Sequence, residues 1–145
     1  MGDEIFMEAA LEQARQGLAE GGIPIGSVLV KDGAIVGRGR NRRVQDGDPT
    51  AHAEIDCLRR AGRVGSYRGA VLYSTLSPCY LCSGAVAQFG IPEVVAGEAQ
   101  NFPGAPDFLR SRGVQIRILA NDECIRLMRE FIAQNPKLWN EDIGR

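Results

Sequence analysis

Three short apolar runs, GAVLYSTL, IPEVVAGE and GVQIRIL, occupy the second half of the chain, and a segment of helix length, PCYLCSGAVAQFG, separates the first two. Each run is too short for a helix and has enough Val, Ile and Leu for a strand. The intervening segment starts with Pro, a favoured first helical residue, and ends at Gly90, a helix stop. A helix between two strands of one sheet implies a crossover and parallel pairing. The first half asks for the opposite. IPIGSVLVKDGAIVGRGRN reads as two strands around a Lys31-Asp32-Gly33 turn, an antiparallel hairpin. A sheet with both kinds of pairing is mixed, and helices must cover both of its faces. The expected fold is an α/β chain, a three-layer α/β/α sandwich.

Other segments fill the helix layers. In IFMEAALEQARQGLAEGG, apolar residues at Ile5, Ala9, Leu11, Ala14 and Leu18 recur near helical spacing. AHAEIDCLRRAG offers Ala51, Ile55 and Leu58 as an inward stripe, and NDECIRLMREFIAQ is amphipathic with Asn121 or Asp122 as its cap. IPEVVAGE and GVQIRIL are expected to follow one another with no helix between them. With 145 residues and no repeat, linker or low-complexity tract, residues 1–145 are expected to form one domain.

Charge narrows the function classes. The net charge is −1 and basic residues are scattered, a weak footprint for a nucleic-acid binder. No apolar run approaches the 18 or so residues that span a bilayer. MGDEIFMEAALEQ is acidic and lacks a signal peptide's charged start and apolar middle, so a cytoplasmic location is expected. In that setting the four cysteines read as metal-binding, catalytic or buried thiols, not disulfides.

His52 is the single histidine, in T-A-H-A-E with Glu54 two residues on, and S-P-C-Y-L-C places Cys79 and Cys82 three apart. A lone His is more often packed than ligating, and a lone C-x-x-C fits a redox pair, half a structural zinc site or core thiols. Together they match an H-x-E…P-C-x-x-C pattern of zinc deaminases. One imidazole and two thiolates suit Zn²⁺, and three protein ligands, unlike four, leave a coordination position open for chemistry. The open position can bring water's proton loss near neutral pH, and Glu54 is the base placed to carry that proton. Cys57 and Cys124 are poorly spaced as further ligands and are assigned to the core.

These residues resemble the cytidine-deaminase superfamily over nearly the whole chain. DPTAHAEI and the strand before PCxxC are similar to tRNA adenosine deaminases, but Ser77 stands where that branch commonly has Glu. GGIPIGSVLV, GRGRN, TLSPCYLCSGA, FGIPEVVAGEAQNF, FIAQNP and WNEDIG resemble the fungal-type cytosine deaminases more closely. That resemblance implies a five-stranded mixed sheet, one Zn²⁺ per subunit, a homodimer and a free-nucleobase substrate, most simply cytosine. It places Asn41 at the base's polar edge, Phe102 and Trp139 as aromatic walls, Ile143 as a lid, and Asp142 near the departing amino group. Ala53 and Ser77 join this substrate set; Ala53 replaces a glycine between His and Glu, and Glu141 is expected to face water. Other small aminated heterocycles (guanine, isocytosine, a pterin or a triazine), a tRNA adenosine deaminase, and a zinc-stabilised binding module are the alternatives.

Overall fold

The computed structural model describes residues 2–145. Helix α1 (Gly2–Ala19) leads into a hairpin of β1 (Gly26–Lys31) and β2 (Ala34–Arg40). Both turn residues, Asp32 and Gly33, have positive φ, as a two-residue hairpin turn requires. After the short α2 (Arg43–Asp46) come α3 (Ala53–Ala61), β3 (Ala70–Ser74), α4 (Tyr80–Phe89) and β4 (Glu93–Ala96). The chain then runs through α5 (Pro106–Ser111), β5 (Gln115–Ile118), α6 (Asp122–Gln134) and α7 (Pro136–Asp142).

The five strands form one sheet in the order β2-β1-β3-β4-β5. β1 pairs antiparallel with β2 and β3, and β3–β4 and β4–β5 are parallel. The mixed sheet is therefore present. IPEVVAGE and GVQIRIL, however, are joined through α5, which supplies the crossover that their parallel pairing needs. Alternating side chains divide the core. Leu29, Leu72 and Val94 face α3, α4 and α5 with Cys57, Val86 and Leu109, whereas Val28, Val30, Tyr73 and Val95 face α1 and α6 with Met7, Leu11 and Leu127. Sheet and two helix layers make the expected three-layer sandwich.

Two helix stripes differ from expectation. α1 buries Met7, Ala10, Leu11, Ala14 and Gly17, while Ile5 is 65% exposed and Leu18 lies outward. The face turned to the sheet carries Met7 and Leu11 with the small Ala10, Ala14 and Gly17 beside them, and the helix lies so close that a Cβ at Gly26 would stand 1.9 Å from the Ala10 carbonyl oxygen. α3 buries Ala53, Glu54, Asp56, Cys57 and Leu58, leaving Ile55 half-buried. Its approach depends on Gly39, where a Cβ would stand 2.2 Å from the Cys57 nitrogen. Asn121 is the α6 cap, accepting a hydrogen bond from the Cys124 N–H at 3.0 Å. Cys57 and Cys124 are buried free thiols whose pKa burial pushes up to about 12, consistent with core packing. Among the described residues, no helix is long and apolar enough to cross a membrane.

Candidate active site

The site lies where β2 and β3 end and α3 and α4 begin, the crevice beyond strand carboxyl ends where open α/β sheets bind ligands. His52 is the N-cap of α3 and Cys79 the N-cap of α4, with Cys82 on the first turn of α4. His52 Nδ1 is 3.4 Å from Cys79 Sγ and 3.5 Å from Cys82 Sγ. The three ligand atoms lie within 4.8 Å of one another, on side chains that are buried or nearly so. One imidazole and two sulfurs converging at that spacing fit a tetrahedral Zn²⁺ with one position left over.

The surroundings shift each group. The Cys82 sulfhydryl donates to Cys79, and the His52 bond adds to it, so Cys79 is held at about 4 despite burial. Cys82, the donor of the pair, is pushed well up. Burial works against the charged imidazolium of His52, but the Cys79 thiolate outweighs it, with Glu54 and Asp142 adding, and its pKa reaches about 9. Glu54 is buried and accepts a hydrogen bond from the Ser74 hydroxyl at 3.2 Å. Burial first, and then the Cys79 charge, lift its carboxyl to about 7.

A cavity of about 320 Å³ opens in front of these residues. Asn41, His52, Glu54, Ser77, Cys79, Phe102, Trp139, Asp142 and Ile143 all line it. Phe102 meets Trp139 edge-on, ring centres 5.8 Å apart. Asn41 Oδ1 accepts the Arg43 backbone N–H at 3.0 Å, which fixes the amide's orientation because that N–H can only donate. Ser77 is held by its own N–H to the Glu98 carbonyl at 2.9 Å, and its buried Oγ has no hydrogen-bond partner among the described residues. The same is true of Asp142 Oδ1, which sits 3.8 Å from both His52 Nε2 and Arg43 Nε. Burial raises the Asp142 pKa, opposed by His52 and Arg43.

Ala53 is not brought to the cavity wall; its methyl packs with Ile23, Ile25, Leu76 and Trp139. Glu141 is 64% exposed in its side chain, as expected, yet its Oε1 also lies 3.4 Å from an Arg43 nitrogen. Sequence reasoning missed Ile25, Leu76, Tyr80 and Leu81, which complete the lining. Tyr80 and Leu81 had a signal, since they occupy the two positions between the cysteines. Ile25 and Leu76 had none, being ordinary residues at strand ends.

Comparison with known proteins agrees with this geometry. The family described as the cytidine and deoxycytidylate deaminase zinc-binding region matches residues 1–98. Cytosine deaminase of Candida albicans is 42% identical over 145 residues, covering 98% of this chain and 97% of that protein. A tRNA-specific adenosine deaminase of Streptococcus pyogenes is 36% identical over 141 residues, 89% of each chain. Among solved structures, a tRNA:A34 deaminase superposes with a TM-score of 0.77 at 33% identity, over 86% of this chain and 99% of that one. NE0047 in complex with 2,6-diaminopurine gives 0.78 at 25% identity, over 92% and 82%. The chain belongs to the cytidine and deoxycytidylate deaminase family, whose matched region is a zinc-binding one, and His52, Cys79 and Cys82 are positioned to bind a metal.

Proposed function

We propose that this enzyme hydrolyses free cytosine to uracil and ammonia. The observation that carries the reading is a buried carboxyl, Glu54, facing the same small cavity as the metal ligands, under a roof of Trp139, Asp142 and Ile143 from α7. Such a chamber suits one heterocycle more than a polynucleotide, and the similarity to a cytosine deaminase over nearly the full length supports the substrate.

His52, Cys79 and Cys82 would hold Zn²⁺, which supplies Lewis acidity that makes water a competent nucleophile near neutral pH. Asn41, its Oδ1 engaged by Arg43, presents its amide N–H₂ to the base's C2 carbonyl. Phe102 and Trp139 bound the ring. Glu54 takes a proton from the attacking water and delivers it to N3 as the C4–O bond forms. It then carries the second proton from that oxygen to the exocyclic nitrogen, the C4–N bond breaks, and ammonia leaves past Asp142. A carboxyl held at about 7 can both accept and release a proton near neutral pH. Ser77 lends its unpartnered hydroxyl to the cavity wall. Tyr80 and Leu81, exposed on α4 together with Phe89, support a homodimer; a role in pyrimidine salvage fits the substrate, and the proposed location is the cytoplasm.

The expected result for Glu54→Ala is a protein that binds zinc stoichiometrically and releases ammonia from cytosine at least about 100-fold more slowly, the lower range of general acid–base contributions. Turnover near wild type in that variant would exclude the proton-carrying role.

A further inference from the structure

The lid helix lacks something its own sequence should supply. α7 is seven residues long, too short to be stable by itself, and no basic residue occupies its last turn. That turn instead ends in Glu141 and Asp142, two acids at the negative end of a helix, where cations are favoured. The Asp142 side chain is only 5% exposed, and its Oδ1 receives no hydrogen bond from the described residues. Something outside the helix must offset this charge.

Arg43 is placed to do so. Its Nη2 is 3.4 Å from Glu141 Oε1 and its Nε 3.8 Å from Asp142 Oδ1, while Nη1 donates to the Pro49 carbonyl at 3.3 Å. The side chain is only 19% exposed, so these interactions are less screened than a surface pair. Its backbone N–H meanwhile holds Asn41 Oδ1. One residue thus ties the loop before His52, the Asn41 amide and the end of the lid.

We propose that Arg43 is a positioning residue that supplies the missing C-terminal cation of α7 and latches the lid over the cavity. It does not line the cavity itself. Its consequence for turnover rests on the deaminase reading above, but the latch does not.

The test compares wild type with Arg43→Gln and Arg43→Lys, all zinc-loaded, by amide hydrogen exchange. None of these changes touches the backbone bond to Asn41. The Ile143 amide, bonded to the Trp139 carbonyl at 3.1 Å, reports the last turn, and the buried Met128 region of α6 serves as control. Arg43→Gln should speed Ile143 exchange about two- to fivefold relative to Met128, the range lost with a partly exposed ion pair. Arg43→Lys, which keeps the charge without the fork, should fall between. If Arg43→Gln does not fold, wild type decides: raising salt to about 1 M, where the screening length is near 3 Å, should speed Ile143 but not Met128. Unchanged relative exchange, in Arg43→Gln or in that salt series, overturns the latch. With cytosine, Arg43→Gln should raise KM more than it lowers kcat. Faster Ile143 exchange with no cytosine turnover even in wild type would leave the latch standing and reject the substrate.

Discussion

Replacing Glu98 by Gln should loosen the cavity's aromatic wall through a buried carboxylate that never touches it. Glu98 is fully buried just after β4, and its Oε1 accepts the Gln100 and Asn101 backbone N–H groups at 2.7 and 2.9 Å. Oε2 accepts Asn101 Nδ2 at 2.8 Å, and the same Nδ2 donates to the Ile125 carbonyl at 3.0 Å. The carboxylate folds the loop that carries Phe102. A glutamine can keep its oxygen toward the two backbone donors, but its amino group then meets Asn101 Nδ2, donor against donor. Flipping Asn101 only moves the conflict, because its oxygen would face the Ile125 carbonyl. A charge-assisted bond is lost and a buried donor is left unpaired, together costing about 3 kcal/mol. For a domain of this size that lowers Tm by roughly 6–12 °C. Differential scanning calorimetry on the zinc-loaded protein reads the shift, and cytosine KM should rise as Phe102 loses its fixed loop. A Tm within about 1 °C of wild type would refute this hydrogen-bond accounting.

Other perturbations have equally definite expectations. Gly104 has φ +71°, and a Cβ there would lie 2.4 Å from Ser77 Oγ and 2.5 Å from the Pro78 carbonyl. Gly104→Ala should destabilise the fold by about 1–3 kcal/mol in urea titration and displace Ser77, lowering kcat/KM. Asp3 lies beside Arg117 and accepts the Tyr73 hydroxyl at 2.6 Å, and the Arg117 bond holds its carboxyl at about 2. A depressed carboxylate contributes stability above its unfolded pKa and loses it as pH falls, here between roughly pH 4 and 2. After solvent screening the contribution is about 1 kcal/mol. Asp3→Asn should flatten the acid limb of the stability curve, and an unchanged limb would count against the pair.

The three residues positioned to bind a metal were legible because zinc chemistry restricts residue type and spacing together, and no fold is needed to see H-x-E and PCxxC. The hairpin and the strands beside α4 were legible for a similar reason, since Asp32-Gly33 and Pro78…Gly90 are local punctuation. α5 was not, because six residues hold fewer than two helical turns and show no period, though Pro106 at its first position was a usable sign. The stripe of α1 was read in part: Leu11 and Ala14 are buried as expected, but Ile5 and Leu18 face outward and Met7, Ala10 and Gly17 complete the buried face. The tail residues Trp139, Asp142 and Ile143 were found by resemblance, and the cavity does contain them. Arg43 and Glu98 were invisible. Arg43 depends on Glu141, 98 residues away, which no linear pattern pairs with it. Glu98, by contrast, is bonded only two and three residues on, to Gln100 and Asn101, and it is its burial that a short polar stretch does not disclose.

The central claim is that this cavity deaminates a free pyrimidine base, and an ammonia-release panel on the zinc-loaded enzyme tests it most directly. Cytosine, cytidine, guanine, isocytosine, a pterin and a transfer-RNA anticodon stem would be compared by kcat/KM. The account predicts that cytosine leads and that cytidine, whose ribose at N1 the same cavity of about 320 Å³ would also have to hold under the Trp139 roof, is turned over at least about 100-fold less well. Turnover of cytidine or the transfer-RNA stem equal to or above that of cytosine would contradict it.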